Sequence, residues 1–400
     1  MPNMKRALFA LGVGALVVGL AAPALADPGP AEFGQATLTG FASLPAETFV
    51  PGSEASGGGL GTNPINGLTP PFAGQPVQGF SGVVRRDGGV YEMLSDNGFG
   101  RKDNSADFLL RVQRVKPDLG SGRVEVVGGF NLSDPDKHIT FPLTREDRKL
   151  TGADLDVESI VRAPDGTYWI GDEFGPFLLH FSSSGKLLKA PVPLPGVQAP
   201  ENPFLNGGTP NLGRSKGFEG MARSLDGKRL YPLLEGTITG DPAGTLRMYE
   251  FDVRKKGYTG KRWTYPLDAA THAIGDAISV DRHRFLIIER DGKQGEAAQV
   301  KKVYLVDSRD HDRDGLMDKT LVADLLNIAN PDKLGGFGQT FRFPFETIES
   351  VAILDRHTLI IANDNNFPFS SGRTPGRPDN NEFITIKLTH PLPASPQAMS

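Results

Sequence analysis

A short pattern of apolar and polar positions recurs five times along the chain. Each copy has an apolar stretch, a polar turn beginning with Asp, a second apolar stretch and then an acidic residue, as in VESIVRAPDGTYWIGDEFG and IESVAILDRHTLIIANDNN. The copies begin at Phe80, Val157, Phe218, Gly275 and Ile348. Two apolar runs joined by an Asp-Gly or Asp-Arg-His turn are typical of an antiparallel hairpin. The pattern therefore predicts five related hairpins.

A third apolar segment follows every hairpin, and some copies show a fourth. The third segments are residues 108–115, 177–181, 246–253, 301–307 and 383–388, and the fourth segments are residues 124–130 and 262–267. Three or four antiparallel strands that recur in this way are typical of propeller blades. The sequence thus predicts an all-β fold, a β-propeller with five recognisable blades. A β-sandwich is the alternative, and a sixth blade is left open in residues 131–156 or 190–217.

An apolar segment near the N-terminus has no hairpin partner in its own region. Residues 36–44, ATLTGFASL, precede the first copy of the pattern. We expect this strand to complete the last blade beside residues 383–388 and so to close the ring. Gly- and Pro-rich insertions at 51–79, 191–217 and 330–347 separate the repeats without dividing them, so we expect one domain over residues 27–400.

The first 26 residues have the three parts of a secretory signal peptide. Lys5 and Arg6 precede an apolar run over residues 7–22, and Ala24-Leu25-Ala26 then places small residues where a signal peptidase cleaves. A retained membrane anchor is the alternative, but the run is shorter than the ~20 residues of a comfortable membrane span. We expect a mature chain from Asp27, secreted or periplasmic, with no stable membrane insertion after cleavage.

Composition excludes several classes of protein. The 400 residues include 49 Gly and 32 Pro, which argues against the long helices of a bundle or a TIM barrel. The formal net charge of -4 disfavours a nucleic-acid partner. The chain has no Cys, so disulfides, thiolate metal sites and a Cys nucleophile are excluded. We expect a monomer that acts on a small molecule.

Equivalent positions of the repeats carry acidic residues at both ends of the hairpin. The start positions are Ser81, Glu158, Glu219, Asp276 and Glu349, and the end positions are Asp96, Asp172 followed by Glu173, Glu235, Glu289 followed by Arg290, and Asp364. In a propeller such positions form rings near the axis, where like charges repel unless cations or shared protons offset them. The rings predict a metal-binding or acid–base pocket. The alternative is that each acid caps the backbone of the next blade.

A second acidic feature lies between two repeats. Asp310, Asp312 and Asp314 alternate, Gly315 permits a sharp turn, and Asp318 follows. This order is typical of the first part of an EF-hand calcium loop. The twelfth position is Leu321 rather than Glu, so the segment predicts an isolated, structural calcium loop between strands. A solvated polar turn is the alternative.

Four segments together resemble a known family. They are GDEFGP (171–176), GFEGMA (217–222), IERDG (288–292) and ESVAILD with LIIANDNNF (349–367). With the signal peptide, they resemble the phytase-like family of secreted bacterial β-propellers, labelled "esterase-like activity of phytase", and the likeness covers residues 36–390. The resemblance implies a propeller that hydrolyses phosphoesters or esters. By similarity to β-propeller phytases, it also implies calcium ions between channel carboxylates and substrate phosphate.

The repeats and the resemblance together define a candidate active site at the channel mouth. We expect catalytic roles for Glu173, Glu235, Glu289 and Arg290, and metal ligation by Asp96, Asp172 and Asp364. The basic residues expected to bind substrate are Arg101, Lys102, Lys216 and Arg373, with Lys293 and Arg377 as further rim candidates. The function predicted is a secreted, calcium-assisted hydrolase. A non-catalytic extracellular propeller that binds a ligand or a protein is the alternative.

Overall fold

β-Strands form nearly all the regular structure of the chain. The computed structural model describes residues 33–399, so the predicted signal peptide and its cleavage site lie outside the described residues. The strands are Thr37–Leu44 (β1), Phe80–Arg85 (β2), Tyr91–Ser95 (β3), Arg111–Asp118 (β4), Arg123–Asn131 (β5), Val157–Arg162 (β6), Tyr168–Asp172 (β7), Phe177–Phe181 (β8), Val192–Pro193 (β9), Phe218–Arg223 (β10), Arg229–Leu234 (β11), Thr245–Asp252 (β12), Gly257–Pro266 (β13), Ala273–Ser279 (β14), Arg284–Arg290 (β15), Lys301–Asp307 (β16), Asp318–Asp324 (β17), Ile328–Ala329 (β18), Thr340–Phe341 (β19), Thr347–Asp355 (β20), Thr358–Asp364 (β21) and Asn381–Lys387 (β22). Short 3₁₀ helices occur at Gly58–Leu60, Asp87–Gly89, Gly295–Ala297, Leu334–Gly336 and Pro396–Ala398. The all-β prediction is confirmed.

The strands pair mainly with their neighbours in sequence. Strands β6–β9, β10–β13 and β14–β17 form three antiparallel sheets of four strands each, in chain order. The remaining sheet has the order β2-β3-β4-β5-β1-β22-β21-β20, and a single residue pair, Ser43 with Arg123, joins β5 to β1. The short strand β18 pairs with β1, and β19 pairs with β18. The five predicted hairpins are therefore present as β2–β3, β6–β7, β10–β11, β14–β15 and β20–β21.

The first strands of the hairpins are neighbours of one another. Strand β2 contacts β6 and β20, β10 contacts β6 and β14, and β14 contacts β20. Residues equivalent in the repeat therefore come close together in space, as in a propeller. Apolar side chains between adjacent sheets hold this arrangement, and an example is Trp169 of β7, whose ring lies 5.2 Å from that of Phe251 in β12. Full burial of one such side chain stabilises the fold by about 1.5–3 kcal/mol.

The N-terminal strand pairs with the last strand of the chain. Thr37 lies opposite Lys387 and Leu44 opposite Asn381 in an antiparallel ladder with one irregularity after Leu38. Leu38 is 1% exposed and belongs to a core cluster that also includes Ile384. The expected pairing of residues 36–44 with the sheet that contains residues 383–388 is thus observed.

The long insertions contribute loops rather than a further sheet. Within residues 33–399, segment 131–156 beyond β5 has only isolated bridges, and segment 190–217 contains the two-residue strand β9. Neither segment forms an additional sheet in this part of the chain. These loops lie next to the start of the first strands in sequence, and they supply Asp156 and Lys216 to the site described below.

Candidate functional site

A β-bulge in each of three first strands turns a glutamate into the interior. The ladder between first and second strand shifts register at Glu158 in β6, at Glu219 in β10 and at Glu349 in β20. A bulge adds one residue that has no partner and redirects its side chain. Strand β6 contacts β10, and β20 joins them through β2 and β14, so the three glutamates lie close enough for their charges to interact. Each is at most 8% exposed.

The fourth repeat departs from this arrangement. In β14 the shifted residue is Gly275, and a Cβ at this position would lie 2.1 Å from the carbonyl oxygen of Ile348. The acid that follows, Asp276, instead accepts backbone hydrogen bonds from Ala277 (2.7 Å) and Val351 (2.9 Å). Asp276 therefore links β14 to β20 and does not join the three glutamates.

The residues after the second strands complete the cluster. Glu173 follows β7, and its backbone N–H donates to the carbonyl of Asp156 at 2.8 Å. Glu235 follows β11, and its N–H donates to Gly217 at 2.9 Å. A Cβ on Gly217 would lie 2.4 Å from Cα of Glu173, so a larger residue would displace Glu173.

Arg290 connects the acids that come from different sheets. Its Nη2 atom donates to Glu235 Oε1 and to Glu349 Oε1, both at 3.1 Å, and lies 3.8 Å from Glu219 Oε1. Ser81 Oγ donates to the other oxygen of Glu349 at 2.9 Å. Lys216 Nζ binds Glu235 Oε2 and keeps 43% of its side chain exposed. We name Asp156, Glu158, Glu173, Glu219, Glu235 and Glu349 the carboxylate cluster.

The cluster contains oxygen donors in two overlapping groups. Carboxylate oxygens of Asp156, Glu158 and Glu173 lie within 4.8 Å of one another, and so do those of Glu173, Glu219 and Glu235. Glu173 belongs to both groups. Buried oxygens of Asp156, Glu173 and Glu219 accept no hydrogen bond in the described structure. Several unpartnered carboxylate oxygens at this spacing suit a hard divalent cation.

Burial and mutual repulsion raise the pKa values of these acids. Burial is the main cause and neighbouring carboxylates add to it, so the pKa values of Glu158, Glu173 and Glu219 lie well above the usual value. The same causes raise the pKa values of Asp156 and Glu349. Burial acts against the charge of Arg290, but attraction by Glu235, Glu349 and Glu219 outweighs it and raises the Arg290 pKa. These five acids therefore hold protons more tightly than free carboxyl groups do.

The acids at the ends of the second strands mainly hold loops in place. Asp172 accepts N–H groups of Asp156 (2.9 Å) and Gly175 (2.7 Å). Asp364 accepts the N–H of Asn366 at 2.7 Å and the hydroxyl of Thr347 at 3.0 Å. Asp96 likewise accepts the N–H of Gly98 at 2.8 Å. The oxygens of these three acids, predicted as metal ligands, thus accept hydrogen bonds from nearby backbone and hydroxyl groups.

Burial dominates the pKa values of the same three acids. It raises the pKa of Asp96 and that of Asp172 to about 7, with a contribution from the charge of Asp156. The pKa of Asp364 lies well above its usual value because of burial and the nearby charges of Asp96 and Glu349.

Glu289 lies apart from Arg290, although sequence analysis grouped the two. Successive residues of a strand point to opposite faces. Glu289 therefore points away from Arg290 and accepts hydrogen bonds from Tyr265 of β13 (2.7 Å) and Lys319 of β17 (2.7 Å), and it contacts His272 (2.8 Å). This placement corrects the prediction that Glu289 shares the site.

The predicted substrate-binding residues separate into two groups. Lys216 belongs to the edge of the cluster, and Lys102 lies 5.6 Å from the ring of Phe174, the residue after Glu173. Arg373 instead forms a two-contact ion pair with buried Glu382. The other candidates lie on exposed loops: Arg101 is 3.4 Å from Asp103, and Lys293 donates to Gln299. Arg377 is also exposed.

The acidic loop lies between β16 and β17. Side-chain oxygens of Asp310, Asp312 and Asp314 are within 4.8 Å of one another. Asp310 accepts the N–H groups of Asp314 (3.0 Å) and Gly315 (3.1 Å), and Asp318 accepts that of His311 (2.8 Å). The loop folds back on itself and brings together three of the four acids predicted to bind calcium, Asp310, Asp312 and Asp314.

Sequence analysis missed Asp156. The residue lies two positions before Glu158, where other repeats have Gly79, Gly217 and Thr347, so the repeat gives no signal for it. The start-position glutamates were recognised as a ring but were not selected as site residues. A bulge at those positions is the feature that brings them together, and the alternation of polar and apolar residues does not reveal it.

A known protein family matches most of the chain. The model of the family described as "Phytase-like: Esterase-like activity of phytase" matches residues 75–367. An "Uncharacterized secreted protein" of Arthroderma benhamiae is 29% identical over an alignment of 192 residues that covers 38% of this chain and 37% of that relative. The match thus spans little more than a third of the relative's length.

Solved structures with a similar course of the chain have low sequence identity. An exo-β-1,3-galactanase from Phanerochaete chrysosporium is 9% identical, with a TM-score of 0.41 over 78% of this chain and 61% of its own. A PQQ-bound aldose sugar dehydrogenase from Streptomyces coelicolor is 12% identical, with a TM-score of 0.35 over 78% of this chain and 95% of its own.

No helix in residues 33–399 is long and apolar enough to cross a membrane.

Proposed function

Because the chain belongs to the phytase-like family, we propose that it is a hydrolase that cleaves phosphoesters or related esters at the carboxylate cluster with the help of a divalent cation such as calcium. The observation that carries this proposal is the convergence of three bulge glutamates with Glu173, Glu235 and Arg290. A buried set of acids that outnumbers its cations needs a compensating charge, and metal and substrate together supply one.

The donor atoms of the cluster fit a hard cation. Asp156, Glu158 and Glu173 form one set of ligands, and Glu173, Glu219 and Glu235 form the other. Asp156, Glu173 and Glu219 each have one buried carboxylate oxygen that accepts no hydrogen bond and could bind the cation. A bound divalent cation supplies a Lewis acid for a phosphoryl or carbonyl oxygen and lowers the pKa of a water molecule.

The basic residues orient the acids and an anionic substrate. Arg290 holds Glu235 and Glu349 in fixed positions through Nη2, and its buried Nε has no hydrogen-bond partner. Lys216 remains partly exposed at the edge of the cluster, so its ammonium can meet a phosphate group that enters from solvent. Lys102 adds a positive charge over the ring of Phe174, the residue after Glu173.

We further infer the number of blades, the export of the protein and a second calcium site. The five hairpins and their mutually contacting first strands support one propeller of five blades over residues 27–400, with β1 completing the last blade. The composition of residues 1–26 and the secreted relative support export, and we propose that the exported protein acts as a monomer. The loop with Asp310, Asp312, Asp314 and Asp318 would bind a further, structural calcium ion.

Two matched variants test the proposed site. We expect release of phosphate from an aryl phosphate, or of phenol from an aryl acetate, in calcium and its loss in chelator. Glu173→Gln should lower this rate by roughly a hundredfold or more because Glu173 is common to both ligand groups. Glu289→Gln makes the same chemical change in a buried acid outside the cluster, and it should mainly lower the melting temperature.

Each result bears directly on the proposal. Full activity of Glu173→Gln would place the reaction elsewhere. If neither substrate class is hydrolysed with calcium, magnesium, manganese or zinc, the hydrolase proposal fails and the non-catalytic binding protein replaces it.

A further inference from the structure

A cavity of about 530 Å³ follows the first strands away from the carboxylate cluster. Asp276 lines it at one end, and the turn residues Asp87, Pro164 and Leu225 line it at the other. Its walls between these ends include the apolar residues Val83, Ile160, Met221, Ile278 and Val351. The volume lies in the range of small-molecule sites.

Three arginines line this cavity from equivalent positions. Arg85, Arg162 and Arg223 end the first strands β2, β6 and β10, which come from three consecutive repeats. Each is the last residue of its strand that pairs with the second strand: the pairs are Arg85–Tyr91, Arg162–Tyr168 and Arg223–Leu230. Arg162 comes four positions after Glu158 of the carboxylate cluster, which corresponds to about 13 Å along a strand.

None of the three arginines has a carboxylate partner within residues 33–399. Arg85 Nη1 donates to two carbonyl oxygens, of Met399 at 3.0 Å and of Leu354 at 3.3 Å. The Nε atom of Arg162 is buried and has no hydrogen-bond partner. Burial lowers the pKa of Arg223, and the charge of Asp226 offsets only part of this effect.

The acids near the cavity do not neutralise these arginines. Asp276 is buried, and its two oxygens accept backbone hydrogen bonds. Asp87 is exposed at the rim. The adjacent Arg86 is already paired with Glu92 at 3.1 Å. An excess of positive charge thus remains at this end of the first strands, opposite in sign to the cluster.

We propose that this cavity binds a small organic oxyanion. Arg162 and Arg223 hold its phosphate or carboxylate group, Arg85 lies beside them, and the apolar walls contact the rest of the molecule. Guanidinium groups bind both kinds of anion through paired N–H donors, and they do so most strongly where water is excluded. This site is separate from the proposed hydrolytic site and does not depend on hydrolysis.

Calorimetric titration in chelator tests the site without metal at the carboxylate cluster. The probes are inorganic phosphate and, separately, benzoate, which distinguish a phosphate ligand from a carboxylate with an apolar body. The full chain should bind at least one probe, and Arg162→Gln with Arg223→Gln should weaken that binding roughly tenfold or more. Arg123→Gln with Arg254→Gln removes the same charge from exposed positions and should leave binding unchanged.

Further variants keep the test decisive. Arg162→Lys retains the charge but not the paired donors, so it should also weaken binding, and it serves if the double variant does not fold. Glu173→Gln should bind the probe as the parent does. The proposal is overturned if neither probe binds the parent, if the arginine variants bind as tightly as the parent, or if Glu173→Gln abolishes binding.

Discussion

At the scale of single residues, the site depends on positions where one repeat differs from the others. Glu173 follows the repeated Asp172 as an additional acid, and Arg290 follows Glu289 as an additional cation. Both could be predicted, because extra charged groups beside a repeated position indicate function. Asp156 could not be predicted, since it lies outside the repeated positions and reaches the cluster only through the fold.

The bridging geometry of Arg290 gives a prediction about charge and shape. Arg290→Lys keeps the positive charge but cannot contact Glu235 and Glu349 as the planar guanidinium does. We expect the hydrolysis rate to fall by roughly tenfold or more. Loss of charged hydrogen bonds should lower the free energy of unfolding by about 1–3 kcal/mol. Steady-state kinetics and urea unfolding measure the two effects.

The matched control is Arg254→Lys, an exposed residue in the turn between β12 and β13. It should change neither quantity. Unchanged kinetics in Arg290→Lys would mean that a point charge is sufficient at this position.

At the scale of elements, the hairpins were predictable and the bulges were not. Asp-containing turns between apolar runs predict the hairpins, because the turn and the period of two act within a few residues. The bulges at Glu158, Glu219 and Glu349 depend on contacts between first strands of different repeats. Sequence analysis therefore found the ring of start positions but favoured the ring at the other end of the hairpin.

The loop between β16 and β17 gives a prediction about calcium and stability. Asp310, Asp312 and Asp314 place their oxygens within 4.8 Å on an exposed loop, so an ion that binds them favours the native state. In Glu173→Gln, calcium should still raise the melting temperature through this loop. Adding Asp312→Ala and Asp314→Ala should abolish that rise, as measured by thermal unfolding in calcium and in chelator.

A control with the same loss of charge separates ion binding from general electrostatics. Glu125→Gln with Glu146→Gln changes two exposed acids elsewhere and should leave the effect of calcium intact. If calcium stabilises the aspartate variant as much as the control, the loop is an ordinary polar turn.

At the scale of the whole molecule, the buried acids make stability depend on pH. The pKa values of Asp96, Asp172 and Asp276 are raised to about 7, mainly by burial, and those of Glu158, Glu173 and Glu219 lie well above the usual value. Between the unfolded pKa near 4 and the folded pKa, the native state binds more protons than the unfolded state. Each such group therefore lowers stability by up to about 1.4 kcal/mol per pH unit in this range.

We accordingly expect the protein in chelator to be less stable at pH 7.5 than at pH 5. The urea concentration at the midpoint of unfolding measures this difference. Calcium should restore stability at pH 7.5, where it replaces protons on the carboxylates, and should have little effect at pH 5. Equal midpoints at the two pH values in chelator would contradict the raised pKa values.

The antiparallel pairing of β1 with β22 also determines how the molecule responds to force. Thr37 lies opposite Lys387, and Gly34 donates to Thr389 at 2.9 Å, so the start of β1 and the end of β22 lie at the same edge of the sheet. Hydrogen bonds in this ladder run perpendicular to the strands. Tension applied at the start of β1 and the end of β22 would therefore break these hydrogen bonds one after another. The sheet that joins the first and last parts of the chain should yield at low force, ahead of the three sheets formed within single repeats.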